Sequence, residues 1–462
     1  MTSIGAAARR AAPRTIPSWL ILALACAGQF MVILDASIVN VTLPAIRAEL
    51  GFSPTGLAWA VNGYLLAFAG FMLLGGRAAD LFGPRRTLVA GLLLFSAASL
   101  AAGLATAAEV LVAARVAQGA GAAMMAPATL AVINTYFTEP GARARAFGAW
   151  SAAGGVGGMI GAVAGGAITT GLSWRWVFLI NVPVGALLIA VALAALVTVR
   201  GARREPLDLA GAVTGTAGLA ALVYGVMQSA EHAWSSGRVL VPVLAGLLLL
   251  AAFVVVEARF AGRPMLPLRL LRIRGVAVGN GMLLLFGGIT IAMWYFTSLL
   301  LQNVLGFSAL LAGLGQTPAA VTFMLVARAS AALLPRAGAR ALTLGGGALL
   351  VAGFGWLSPA QAGSGYLTGV LGPTLLVAAG IGLTFPTLMA AATAEAPEGA
   401  AGVVGGLANT TSQVGSAIGL AVLATAAGSS EALADGYGLV FLIAAGLGLA
   451  LAAGGFLLPR RA

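Results

Sequence analysis

The chain has 462 residues, of which 60% are hydrophobic and only 8% carry a formal charge. A soluble globular protein has about 25% charged residues, so this composition excludes a soluble enzyme or a secreted domain and indicates a membrane protein. All 25 basic residues are arginine, and with 13 acidic residues they give a net charge of +12. A single cysteine excludes a disulfide framework or a cysteine-based metal cluster built within this chain.

Segments long enough to cross a bilayer follow one another along almost the whole chain. A helix needs about 20 apolar residues to span the hydrocarbon core. The segments that meet this condition are 18–40, 56–75, 88–106, 108–133, 147–170, 176–199, 209–228, 239–257, 276–301, 309–328, 341–358, 365–390, 400–427 and 437–458. We therefore expect an all-α polytopic membrane protein with fourteen transmembrane helices.

The arginines are divided unequally between the two sides of these spans. With the amino terminus placed inside the cell, 21 of the 25 arginines fall in cytoplasmic loops or tails, three fall in external loops, and Arg115 lies within a span. This positive-inside asymmetry predicts cytoplasmic chain ends and a multi-pass protein of a bacterial inner or plasma membrane. The charge is dispersed over many short turns, so it does not indicate a nucleic-acid partner.

Landmarks in the first six spans recur in the last six at a nearly constant offset. Residues 50–53 and 305–308 both read Leu-Gly-Phe-Ser, which is an offset of 255. Similar offsets relate Gly83 to Gly338, Arg85 to Arg340, Pro127 to Pro386, Gly157 to Gly415 and Gly161 to Gly419. Two parallel six-helix units are typical of transporters that bind substrate between the units, and convergent glycine packing is the alternative.

The repeat predicts five divisions of the chain. They are a cytoplasmic tail (1–17), a first six-helix half (18–199), two inserted helices with flanking loops (200–275), a second six-helix half (276–458) and a short cytoplasmic tail (459–462). The fold expected from them is two six-helix halves with two additional central helices.

Two opposite charges lie inside predicted spans of the first half. Asp35 lies about five residues, or ~8 Å, from the outer end of a span that ends near residue 40, and Arg115 lies about seven residues, or ~10 Å, from the outer end of span 4. Placing a charged side chain in the hydrocarbon core costs about 2.5–3.5 kcal/mol unless the charge is paired or hydrated. We expect the two to interact, with Gln118 on the same helix face as Arg115. A proton switch and a static ion pair are both open interpretations.

Span 5 carries a stripe of glycines at positions i, i+4 and i+8, namely Gly157, Gly161 and Gly165. Small residues at this spacing let helices approach closely. A hinge at which the two halves rock and simple tight packing are the two interpretations, and the sequence does not separate them.

The turn between spans 2 and 3 combines glycines with a cluster of charges. Its candidate residues are Gly76, Asp80, Gly83, Arg85 and Arg86. Glycine at the reversal suits a tight turn. The cytoplasmic position makes Asp80 a candidate conformational latch rather than a transport site, and a solvated loop charge is the alternative.

Polar and aromatic residues within the spans are candidates for a substrate cavity. They are Asn62, Tyr64, Gln118, Trp294, Tyr295, Gln302, Gln316, Asn409 and Gln413. Helix–helix hydrogen bonds and interfacial anchoring are alternative roles for most of them. The second half has no clearly buried acidic residue and the chain has one histidine, so we expect no metal site and no cofactor besides the coupling proton.

Four segments together resemble the major facilitator superfamily, specifically its fourteen-helix drug:proton antiporter branch. They are residues 34–44, 76–88, 111–121 and 174–183, and the likeness extends over nearly the whole chain. The resemblance implies proton coupling at Asp35 and Arg115, a conformational latch at Asp80 and an antiporter hinge in span 5.

The chain departs from the family pattern at three places. Ala162 follows Gly161 where the family usually has proline, which weakens the hinge assignment. Leu81 and Pro84 replace frequent basic residues of the loop motif. In the second half Pro335 occupies the position where Asp80 would recur, so only the first latch has an acidic residue.

The sequence therefore predicts a proton-coupled exporter of small amphipathic organic compounds such as drugs, antibiotics or toxic metabolites, working by alternating access. A proton-coupled importer or facilitator of a small metabolite on the same fold is the alternative. A membrane enzyme would need a cluster of carboxylates or histidines on a sizeable loop, so no enzymatic activity is expected. The expected partners are a small-molecule substrate and the lipid bilayer, with the chain acting as a monomer.

Overall fold

A computed structural model describes residues 17–53, 56–197, 208–229, 231–260, 268–361, 363–395, 401–430 and 432–458. Within these ranges the chain is helical and contains no β-strand. In the same ranges, twelve helices are long and apolar enough to cross a membrane, or thirteen when the bent pair Gly56–Met72 and Leu74–Phe82 is counted as one span. The all-α membrane architecture is confirmed. The two predicted tails, apart from residue 17, lie outside the described residues.

The helices are numbered in chain order. They are α1 (Ser18–Leu50), α2 (Trp59–Phe82), α3 (Pro84–Gly103), α4 (Ala108–Tyr136), α5 (Pro140–Gly171), α6 (Trp176–Ala195), α7 (Leu209–Gln228), α8 (Gly237–Val255), α9 (Arg274–Val304), α10 and α11 (the parts of Ala309–Leu357 before and after Gly338), α12 (Tyr366–Ala394), α13 (Ala401–Gly428) and α14 (Leu433–Gly455).

Backbone breaks at glycine divide the helices at equivalent points of the repeat. Gly83 separates α2 from α3 with φ 84° and ψ 152°, and Gly338 separates α10 from α11 with φ 76° and ψ 157°. Gly51 and Gly306 have φ of 69° and 70°. Side-chain-bearing residues rarely adopt positive φ, so these turns need glycine. The four positive-φ glycines of the described residues thus form two pairs separated by the predicted offset of 255.

Close helix contacts repeat in the same way. A Cβ atom on Gly157 of α5 would lie 2.9 Å from the carbonyl oxygen of Phe30 in α1. A Cβ atom on Gly415 of α13 would clash with the carbonyl oxygen of Leu284 in α9. Only glycine lets these backbones approach so closely. The α9–α13 contact is therefore the counterpart of the α1–α5 contact.

The two helices between the repeats lie beside the bundle rather than inside it. α7 packs against α8 and bridges α2 and α13. The rings of Trp59 on α2 and Tyr224 on α7 lie 6.1 Å apart, and the hydroxyl of Thr425 on α13 donates to the carbonyl oxygen of Val226 at 3.2 Å. The insertion thus contacts both six-helix units at the side where they meet.

Helix α1 is longer than the predicted span of 18–40. It continues through Pro44 to Leu50, because buried residues such as Val41 and Ile46 keep packing against the bundle, and it ends at Gly51. Asp35 therefore lies near the middle of the helix, and the predicted distance of about five residues from its end is wrong.

Gly338→Ala is expected to lower the melting temperature, because alanine in this region of φ and ψ costs about 1–3 kcal/mol. The matched control is Gly345→Ala in the same segment, where an added Cβ meets no atom within 4 Å. A helical Gly→Ala change leaves stability equal or slightly higher. Thermal unfolding of the purified protein checks both variants, and equal melting temperatures would contradict the backbone break.

Candidate functional site

A buried ion pair lies at the centre of the first six-helix unit. Asp35 of α1 is 0% exposed and Arg115 of α4 is 1% exposed. Nη1 of Arg115 donates to Oδ2 of Asp35 at 2.5 Å. The two charges that the sequence places within separate spans are thus in direct contact.

Three neutral side chains complete the surroundings of the carboxylate. Gln118 accepts a hydrogen bond from Arg115 at 3.0 Å and donates from Nε2 to Oδ1 of Asp35 at 3.1 Å. Asn181 of α6 donates to the same oxygen at 2.9 Å. Ser99 of α3 accepts from Gln118 at 2.5 Å and from Asn181 at 3.1 Å. A buried carboxylate needs such hydrogen bonds, because the attraction of one arginine alone does not offset desolvation.

The guanidinium of Arg115 has further contacts that do not involve Asp35. Its Nε donates to the carbonyl oxygen of Ala60 at 2.9 Å. Its Cζ lies 4.4 Å from the ring centroid of Tyr64 and 5.7 Å from that of Phe178. Cation–π contacts of this kind stabilise a desolvated cation. Arg115 therefore keeps favourable contacts when the charge of Asp35 is neutralised.

Ser99 and Asn181 are not among the site residues predicted from the sequence. Asn181 lies in the segment 174–183 and is an isolated amide at the start of an apolar helix, which is a signal for a buried polar role. Ser99 offered no such signal, because a serine in a membrane span commonly bonds its own helix backbone.

A cavity of about 1870 Å³ lies between the two six-helix units. Helices α1, α2, α4 and α5 form one wall, and α9, α10, α12 and α13 form the other. The cavity reaches exposed Asp80, Arg269 and Arg272 at one end of the bundle, and we call this the basic end. The cavity is therefore open at the basic end.

The opposite end is closed by contacts between the two units. The hydroxyl of Ser298 on α9 donates to the carbonyl oxygen of Asn40 on α1 at 3.1 Å. A Cβ atom on Gly166 of α5 would meet the carbonyl oxygen of Ala309, at the start of α10. These contacts hold the units together at one end while they are apart at the other.

The structure places four of the nine cavity candidates on the cavity wall, namely Trp294, Gln316, Asn409 and Gln413. The other five make different contacts. Gln118 and Tyr64 belong to the surroundings of the ion pair. Nδ2 of Asn62 lies 3.7 Å from the sulfur of Met227 on α7. The ring of Tyr295 packs on Phe296, and Gln302 donates to Ser298 one turn earlier.

The glycine stripe of α5 packs against α1 of the same unit. A Cβ atom on Gly165 would lie 2.7 Å from the carbonyl oxygen of Ile38, and Gly157 and Gly161 approach α1 in the same way. Of the two interpretations left open by the sequence, these contacts fit tight packing rather than a contact between the two halves, because the helix face that carries the stripe is turned to α1. Helix α5 meets the second unit through other residues, among them Ala162 and Gly166.

The proposed latch residues lie at the basic end. Asp80 is exposed in the last turn of α2 and lines the cavity mouth, while Gly76 lies deeper on the same wall. Arg85 donates from Nη2 to the carbonyl oxygen of Leu193 on α6 at 2.7 Å, and Arg86 is exposed. A latch at this end would be disengaged in this conformation, because the cavity is open here.

Comparison with known proteins places these features in a family. A sequence profile of the Major Facilitator Superfamily matches residues 25–420. The cephamycin export protein CmcT of Amycolatopsis lactamdurans is 44% identical, over 98% of this chain and 95% of that protein. The puromycin resistance protein pur8 of Streptomyces alboniger is 38% identical, over 90% and 84%. The lincomycin resistance protein of Streptomyces lincolnensis is 34% identical, over 89% and 85%.

Solved structures share the fold. A D-xylose-proton symporter superimposes with a TM-score of 0.72 at 14% identity, covering 96% of this chain and 98% of that chain. An auto-inhibited POT family peptide transporter superimposes with a TM-score of 0.70 at 17% identity, covering 95% and 96%. With the profile match along residues 25–420, these findings show that the chain belongs to the Major Facilitator Superfamily and is a multi-pass membrane transporter.

Proposed function

We propose that this transporter exports small amphipathic organic compounds, antibiotics among them, in exchange for protons. The names of the relatives, which refer to cephamycin export and to resistance against puromycin and lincomycin, support both the outward direction and the compound class. A proton-coupled importer or facilitator is the second candidate on the same fold. We propose that the transporter acts as a monomer, has no enzymatic activity and uses no cofactor besides the proton.

The observation that carries proton coupling is the buried pair of Asp35 and Arg115. A carboxylate inside a membrane is costly and is a functional-site hypothesis by default. The second unit makes the same helix contacts without such a pair. In the repeat, the positions equivalent to Asp35 are Ile289 or Thr290, and the position equivalent to Arg115 is Thr374. Helix packing in this fold therefore does not require the ion pair, which favours the proton switch over the static interpretation.

The proton site and the cavity lie on different faces of α1. Asp35 is turned toward α4 and α6, whereas Gln29, Ile33, Ser37 and Asn40 of the same helix line the cavity. Substrate and proton therefore need no common atom, and a shift or rotation of α1 links them. The glycine contacts between α1 and α5 allow such a shift, because no side chains interlock there.

The steps of exchange follow from the charges. With the cavity open to the cytoplasm, Asp35 releases its proton, Arg115 holds the resulting carboxylate, and substrate enters. In the outward-open state the carboxylate takes a proton, its bond to Arg115 weakens, and the substrate leaves. Proton entry is driven by about 2.3 kcal/mol per charge per 100 mV, which corresponds to a substrate gradient of roughly fifty-fold per proton.

Topology completes the proposal. We propose that α10 and α11 each cross the membrane, which gives fourteen spans with both chain ends and the basic end in the cytoplasm. The positions of the arginines support this orientation. The proposed divisions are the halves 18–199 and 276–458 with the insertion 200–275 between them, in a bacterial plasma membrane.

Asp35→Asn is expected to abolish proton-driven efflux while the protein still folds, because the amide keeps the shape and one acceptor oxygen but cannot take up or release a proton. The measurement is accumulation of a panel of uncharged amphipathic antibiotics and dyes in a pump-deficient bacterial host, with and without a protonophore. We expect at least about a tenfold loss of the protonophore-sensitive efflux rate.

The matched control for this test is Glu49→Gln, which removes an exposed carboxylate that pairs with Arg175 at 2.7 Å. Its efflux is expected to equal that of the unaltered protein. Transport of substrate against a gradient by Asp35→Asn would refute the proposed coupling. Protonophore-sensitive uptake, instead of efflux, would support the importer.

Arg115→Ala is expected to change the pH dependence of transport, because Asp35 loses the cation that pairs with its carboxylate. Transport into vesicles at a series of pH values measures this, with Arg175→Ala as the control. An unchanged profile would favour a static ion pair.

A further inference from the structure

Formal charges in the cavity are confined to its open end. Among the described lining residues the charged ones are Arg77, Asp80, Asp208, Glu257, Arg269 and Arg272, three basic and three acidic. All lie in the last turns of α2 or in the segments next to α7, α8 and α9, at the basic end. The described lining residues of the deeper cavity carry no charge.

The deeper walls offer broad apolar surfaces. Aromatic rings from both units line them, and Phe286 of α9 stacks on Phe385 of α12 with ring centroids 5.4 Å apart. Phe68 of α2 and Trp294 of α9 lie on the same cavity. These surfaces suit the apolar body of an amphipathic compound, because ligand pockets bind mainly through apolar contact.

Amide side chains without hydrogen-bond partners lie among these apolar surfaces. Gln316 of α10 is only 4% exposed, lines the cavity, and makes no side-chain hydrogen bond to any described residue. On the facing wall, Oε1 of Gln29 and Oδ1 of Asn40 are buried atoms that also have no hydrogen-bond partner in the described protein. Buried polar groups are normally satisfied, so these amides are placed to bind a ligand or water.

The chemistry of these amides selects the kind of ligand. Whichever way an amide is turned, it presents both a donor and an acceptor, which match an amide or a hydroxyl group. A ligand cation in the deeper cavity would lose its water and find no carboxylate there. Aromatic faces attract cations, but this attraction alone does not replace a lost hydration shell.

We infer that the deeper cavity selects uncharged amphipathic compounds that carry amide or hydroxyl groups, and that it discriminates against cations of the same skeleton. This inference rests on the proposed export function and adds the chemical class of the cargo. Gln29 and Asn40 on α1 bind the polar groups from one side, and Gln316 binds them from the other.

The test uses three fluorescent dansyl amides of equal chain length that end in a hydroxyl, a trimethylammonium or a carboxylate group. Equilibrium binding to the full-length protein in lipid nanodiscs is measured from the dansyl emission, without any proton gradient. We expect the hydroxyl probe to bind at least about tenfold more tightly than the trimethylammonium probe.

Two substitutions at one position sharpen the test. Gln316→Leu is expected to weaken binding of the hydroxyl probe about fivefold, which is the usual contribution of one neutral hydrogen bond. Gln316→Glu is expected to improve binding of the trimethylammonium probe about tenfold at mildly alkaline pH, because it supplies the missing counter-charge. The matched controls are Gln302→Leu and Gln302→Glu, since Gln302 does not line the cavity.

Equal or tighter binding of the trimethylammonium probe by the unaltered protein would overturn the inference, and so would failure of all three probes to bind. Binding is measured without a gradient, so this result does not depend on proton coupling. If the hydroxyl probe binds selectively but a protonophore does not change efflux, the proposed antiport is wrong. This inference would still hold.

Discussion

The contact between Asp35 and Arg115 is the interaction on which the proposed transport depends. Two opposite charges are buried there inside a membrane protein, where a charge without other contacts would cost about 3–5 kcal/mol on losing its partner. Gln118, Asn181 and Ser99 hold the carboxylate, while Ala60 and Tyr64 hold the guanidinium. The arrangement can lose one charge by protonation without exposing the other, which is what a proton carrier requires.

Helix α1 connects this pair to the rest of the molecule. One face contacts α4 and α6 through Asp35, a second packs on the glycine stripe of α5, and a third lines the cavity through Gln29 and Asn40. A shift of the contacts on one face displaces the other two faces, because a helix moves as a rigid element. The proposed coupling through a helix, rather than through a shared binding atom, leaves the deeper cavity wall free to be neutral, and its described lining residues carry no charge.

Much of the architecture could be predicted from the sequence because a bilayer imposes one-dimensional rules of length, hydropathy and arginine position. The offset of 255 reappears in the backbone of Gly83 and Gly338, since a positive φ is a local requirement that only glycine meets easily. The meeting of Asp35 with Arg115 could also be predicted, because a buried charge needs a partner and few were available.

Features that depend on helix rotation could not be predicted. The stripe of Gly157, Gly161 and Gly165 fits any close neighbour, and only the packed bundle shows that the neighbour is α1. Tyr64 carries no signal that separates a cavity wall from a contact with Arg115. Ser99 makes its hydrogen bonds only when three helices are packed together. Helix α1 is longer than its predicted apolar span because its last turns are stabilised by packing rather than by lipid.

The central claim is that the proton exchanged for substrate is the proton of Asp35. The most direct measurement uses liposomes that contain the purified transporter and a trapped pH dye. The only driving force is an outwardly directed gradient of an uncharged compound that the efflux assay identifies as a substrate. The account predicts that substrate leaving the liposomes drives protons in, so that the interior acidifies with the unaltered protein and its pH stays constant with Asp35→Asn. Equal acidification with both proteins would contradict it.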